Sequence, residues 1–134
     1  VDALDDLVSY LDHDERSVRR TAANILRKMG PAAQEATLDI VDLITNDDKN
    51  TRMLAVEVLS GLGANAKAGS EALAEIIADN TNEADIRVKA AQVLAVIGPD
   101  ARAALETLKK QQAEAEDQNV KQALGEAIGK IQGK

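Results

Sequence analysis

VRRTAANILRKMGP, residues 18–31, is a phrase that the chain repeats. Val18-Arg19, Ala22, Ile25-Leu26, Met29 and Gly30 return as Thr51-Arg52, Ala55, Val58-Leu59, Leu62 and Gly63, and again as Ile86-Arg87, Ala90, Val93-Leu94, Ile97 and Gly98. A weaker fourth copy is Val120-Lys121, Leu124, Ala127-Ile128 and Ile131. Successive copies stand 33, 35 and 34 residues apart. Self-similarity at that period means a stack of supersecondary units, each too small to bury its own apolar face.

Composition points the same way. A chain of 134 residues suits one domain with a real core. Hydrophobic residues make up 45% and aromatic ones 1%, so the core must consist of Ala, Leu, Ile and Val, side chains that suit closely packed helices. With 2 prolines, no Phe, no Trp and no strand-like alternation, the expected class is all-α. The absence of cysteine excludes disulfides and thiolate metal sites. A net charge of −7 argues against a general nucleic-acid binder, which needs surplus Lys and Arg to displace counterions. No apolar run approaches the roughly 18 residues of a membrane span and no signal peptide is visible, so neither nucleic acid nor membrane is an expected partner and the cytoplasm is the favoured place. The chain opens at Val1 without methionine, and a piece of a larger protein is the expectation.

The first helix is expected over residues 1–11, with Leu4, Leu7, Val8 and Leu11 on one face and Asp2, Asp5, Asp6 and Ser9 on the other. Asp12, His13, Asp14 and Glu15 form a turn whose short polar residues suit the start of the next helix. Gly30 stops that helix and Pro31 starts a new segment. The second repeat places Leu38, Ile40, Val41, Leu43 and Ile44 on its first helix, turns at residues 46–50, and carries its second helix over residues 51–62. The third has a turn two residues longer, 79–84, before a helix at about 85–97. The fourth carries a polar run, 111–116, ahead of a helix over 120–131. Between repeats, small residues recur three and six places past each glycine: Ala33 and Ala36, Ala66 and Gly69, Ala101 and Ala104. They predict a tight helical bend. Four helix pairs result, approximately 1–36, 37–69, 70–104 and 105–134.

The quoted phrase extended to residue 36, with its echoes TRMLAVEVLSGLGANAKAG and IRVKAAQVLAVIGPDARAA, resembles the HEAT repeat, and more closely the short bacterial form related to phycobilisome-lyase repeats. The likeness covers essentially the whole chain. It implies an α-α superhelix, a right-handed solenoid with first helices on the convex side and second helices on the concave side, where a partner protein or peptide binds. Its functional content is that of a scaffold. The fourth copy departs from the pattern: Gly125 and Gly129 lie inside the helix and Gln132 stands where the stop glycine is due. Each internal Gly costs about 1 kcal/mol relative to Ala, so that helix is expected to fray or to serve as a cap.

On a helical wheel of the second helix, Val18, Ala22, Ile25 and Met29 point into the stack, opposite a face centred on Arg20, Asn24 and Arg27. Carried through the repeats, these columns read Arg20, Met53, Val88, Gln122, then Asn24, Glu57, Gln92, Glu126, then Arg27, Ser60, Ala95, Gly129. The candidate contact residues are therefore Arg20, Asn24, Arg27, Met53, Glu57, Ser60, Val88, Gln92 and Ala95. Met53, Val88, Ala95 and nearby Val96 form an expected apolar floor for a peptide or helix. A separate column, Arg19, Arg52, Arg87 and Lys121, is basic in all four copies. Beside so many turn carboxylates it is a structural ladder more readily than a phosphate track. In the resembled family the corresponding Arg pairs with a turn Asp and pins adjacent repeats.

Catalytic chemistry finds little support. His13 is the only histidine, no HExxH-like spacing accompanies it, and the serines have no base to activate them. Gly61 and Gly63 lack the strand and the Lys-Ser/Thr of a phosphate loop. No cofactor or metal is expected. The main expectation is a non-catalytic, monomeric interaction scaffold. Its rivals are a phycobilin-lyase-like accessory, which would bind bilin, and a structural spacer whose ends stack. Leu7, Tyr10 and Ala3 broaden the apolar arc of the first helix, so the N-terminal end is suited to cover another repeat.

Overall fold

Four helix pairs follow one another in the computed structural model, which describes residues 3–133. They are α1 (Ala3–Tyr10) with α2 (Arg16–Met29), α3 (Thr37–Asp42, prolonged by a 3₁₀ turn Leu43–Thr45) with α4 (Lys49–Leu62), α5 (Ser70–Ala78) with α6 (Ala84–Ile97), and α7 (Leu105–Glu114) with α8 (Gln118–Ile131). The expected first-helix residues 1 and 2 lie outside the described residues. The even-numbered helices pack α2 on α4, α4 on α6 and α6 on α8, while α5 bridges α3 and α7 in a second layer. The chain is an α-solenoid of HEAT-like pairs, and no helix among its described residues is long and apolar enough to cross a membrane.

Each of the four second helices is 14 residues long. Three of them end on a glycine of positive φ: Gly30 at 54°, Gly63 at 54° and Gly98 at 73°. A side chain in that backbone region is strained, which is why glycine holds the place. From each glycine a seven-residue 3₁₀ segment, Gly30–Ala36, Gly63–Gly69 and Gly98–Ala104, runs straight into the next first helix. The small residues at +3 and +6 are the ones it buries, with Ala33, Ala66 and Ala101 at 0% exposure. Small side chains let the bend lie against its neighbour: a Cβ on Gly69 would stand 2.8 Å from Val41 Cγ2.

The core is a single aliphatic cluster running the length of the stack. Leu26, Leu59 and Leu94 share one fully buried column, and Leu11, Ile44 and Ile77 another. Burying each such side chain contributes about 1.5–3 kcal/mol. Several expectations need correction. Ile25, expected to point into the stack, is 41% exposed and is not a core residue; Leu38 lies on α3 as expected, 54% exposed. Residues 111–114 are helical and belong to α7, because the polar run has helix-forming Gln, Ala and Glu, and only Ala115 and Glu116 leave the helix. The C-terminal helix is as long as its three counterparts. Its positive-φ glycine is displaced one place, to Gly133 at 81°.

Candidate partner-binding face

The three wheel columns project from helices held at both ends, and the structure spaces them unevenly. Arg20, Asn24 and Arg27 are exposed on α2, and Met53 is exposed on α4 beside a half-buried Glu57 and Ser60. On α6, Gln92 is exposed, whereas Val88 and Ala95 are half-buried and packed against the core. Arg20 Nη1 donates to Glu57 Oε2 at 2.7 Å, tying α2 to α4 across the solvent face. Arg27 lies over α4 as well: a Cβ on Gly61 would stand 3.0 Å from Arg27 Cγ. Two of the three α2 candidates are thus committed to a neighbouring helix.

The columns line two grooves. Between α2 and α4, Arg16, Arg19, Arg20 and Asn50 surround Met53 and Glu57 in a recess of about 320 Å³ with a cationic rim. Between α6 and α8, Val88 and Gln92 face Gln122 and Glu126, with Asp85 and Asn119 at one end. Of the residues expected to form an apolar floor, Met53 lines the first groove and Val88 the second. Val96, which is 50% exposed, lines neither. Arg16, Asn50 and Asn119 complete these grooves and lie one turn before the wheel columns, a placement the repeat register could have signalled.

The basic ladder works through the backbone. Arg19 Nη1 donates to the carbonyls of His13 at 2.7 Å and Asp14 at 3.0 Å, and Arg52 Nη1 donates to those of Asn46 at 2.8 Å and Asp47 at 3.1 Å. Arg87 Nε donates to the Ile77 carbonyl, and its Nη2 reaches Gln111 Oε1 at 3.4 Å in the next repeat. The expected pairing with turn carboxylates gives way to these bonds: the carbonyls of the inter-helix turns, and of Ile77 in the last turn of α5, need donors, and the guanidinium supplies several. The Lys121 ammonium makes no hydrogen bond within the described residues. Arg52 Nε is buried without a partner among them.

His13 accepts the Glu15 amide on Nδ1 at 3.0 Å, the same task that Asn46 Oδ1 performs for Asp48 and Asp79 Oδ1 for Thr81. The lone histidine therefore does a turn residue's work. The bond between Thr51 Oγ1 and Asp12 Oδ1, 3.0 Å long, pins the first repeat's turn to α4. Thr51 is fully buried in a column otherwise occupied by Val18, Ile86 and Val120, and a hydroxyl among aliphatics was its sequence signal.

The shifted carboxyls are also structural. The Thr81 hydroxyl and then its amide hold Asp79 below the usual carboxylate range. A 2.7 Å bond from Lys89 does so for Asp85. No group of three His, Asp or Glu side chains among the described residues is placed to hold a metal ion.

Comparison with known proteins agrees with this geometry. The sequence model of one family, HEAT repeats, matches residues 4–95. It does not single out the phycobilisome-lyase form. No curated protein matches. Among solved structures, an engineered protein from the Northeast Structural Genomics Consortium is similar over 98% of this chain and 63% of its own, with a TM-score of 0.60 and 20% identity. This chain thus spans less than two thirds of that neighbour's length, and the likeness shows the fold.

Proposed function

This chain belongs to the HEAT repeat family, and on that footing we propose that it is a non-catalytic scaffold that binds a protein or peptide segment across the solvent face of α2, α4 and α6. The observation that carries this reading is the exposure of Met53, at 43%, inside a groove rimmed by Arg16, Arg20 and Glu57. An apolar side chain ringed by charges on a rigid stack offers an anchor at little ordering cost. The α6–α8 groove is neutral to acidic, with Gln92 exposed at its edge, so a partner spanning both would need an acidic or polar end over α2 and a basic end over α8.

The test compares the wild-type chain with Arg20→Ala, Met53→Glu as bait in affinity capture with mass spectrometry. Both side chains are exposed, so melting should stay within a few degrees. A captured partner should bind the variant at least about tenfold more weakly, or 1.4 kcal/mol. Undiminished binding would remove this face from the reading. Val88 is a poor choice for the same test because it packs on the core, and a charge there would damage the fold.

A further inference from the structure

The two ends of the stack differ in a way that assigns the N-terminal one a role. Position by position, α2 presents on its outer side the face that α4, α6 and α8 bury. Ile25 is 41% exposed, but its equivalents Val58, Val93 and Ala127 are all at 0%. Thr21 is exposed where Leu54 and Ala123 are buried and Lys89 is half-buried, and Val18 is half-buried where Thr51, Ile86 and Val120 are buried. On α1, Tyr10 is 43% exposed. With Leu7 these side chains line one apolar groove of about 330 Å³ between α1 and α2.

At the other end the columns turn polar. The buried Leu11, Ile44 and Ile77 are followed by Gln112, whose amide lies over Gly125. No large apolar side chain of α7 or α8 is exposed among the described residues. A polar outer face is what a stack shows to solvent, and among the described residues the α7–α8 end has one while the α1–α2 end does not.

We propose that the α1–α2 end is an open inter-repeat interface, and that its occupant is one further helix pair of the same aliphatic repeat chemistry, joined ahead of Val1 and stacked in the register that the internal repeats use. The groove stands where an internal repeat has its neighbour: on α4 the same positions, Thr51, Leu54 and Val58, are buried, and α4 packs on the helix that precedes it in the stack. A second copy stacked head to tail does not fit, since it would offer its polar α7–α8 end.

The test adds a helix pair to the full chain. One extension duplicates residues 1–36 ahead of Val1, and a second uses residues 37–69, so that a misfit of one donor does not decide the result. Circular dichroism of each extension should show the added helix. At least one should melt in a single transition about 5 °C or more above the unextended chain. Ile25→Glu, nearly silent in the unextended chain, should abolish that gain. The proposal is overturned if both extensions melt separately or leave the midpoint unchanged. It is also overturned if the unextended chain dimerises with concentration in sedimentation and Ile25→Glu disperses it, because the face would then be a contact between two copies.

Discussion

At the scale of single residues, polar groups decide how the repeats are tied together. Thr51 spends a fully buried position on one bond to Asp12. Thr51→Val keeps the shape and removes the donor, and since Asp12 is exposed its carboxylate can be rehydrated. The expected loss is about 0.5–1.5 kcal/mol. A double-mutant cycle with Asp12→Ala should give a coupling of that size in denaturant melts; strict additivity would mean the bond adds nothing. Asp85 offers a pH test. Its carboxyl is held below the ordinary 3.8 by the Lys89 bond, so its ionised form stabilises the fold. That contribution is whole above the unfolded value and disappears as pH falls through the lower, folded one. Because Asp85 is half exposed, the effect is small, about 0.3–0.5 kcal/mol. Asp85→Asn should lower stability at pH 7 by that amount, and the difference from wild type should vanish as pH falls through the lowered, folded value.

At the scale of elements, the glycines separate into those the backbone needs and those it tolerates. Gly63 sits at φ 54° and ψ −128°, a region closed to other residues, so Gly63→Ala should cost about 1–3 kcal/mol. Gly129 is in the last turn of α8 with open space where a Cβ would go. Gly129→Ala should therefore stabilise by up to about 1 kcal/mol, read as a rise in melting temperature. A fall would show that the glycine does something besides weaken the helix. Two internal glycines did not shorten α8, because packing against α6 and α7 outweighs a propensity cost of that order. The Asp117 carboxylate also accepts the Val120 amide and caps its start.

At the scale of the molecule, stability is a sum over neighbours. Leu59→Ala should cost about 2–5 kcal/mol and, by uncoupling the repeats on either side, broaden the unfolding transition. Ile25→Ala, on the same helix type but at the open end, should cost well under half as much, as comparing the two denaturant midpoints would show. The sequence by itself determined the period, the helix pairs, the stop glycines and the buried small-residue bends, because each depends on local backbone chemistry and on apolar spacing that survives in every copy. It placed Arg20, Asn24, Arg27, Met53 and Gln92 on the exposed side, but put Ile25 in the stack and Val88 and Ala95 on the solvent face, where the structure has Ile25 exposed and the other two packed on the core. Only the tertiary structure decided that Ile25 lies bare while Val58 and Val93 are covered, since a wheel is blind to whether a helix has a neighbour. The same holds for the arginine ladder, whose partners are mostly backbone carbonyls of the turns, placed by how each turn folds back on its helix. It holds for the candidate face too: whether Met53 and Val88 share a groove depends on how far one helix stands from the next, and a column of letters carries no distances.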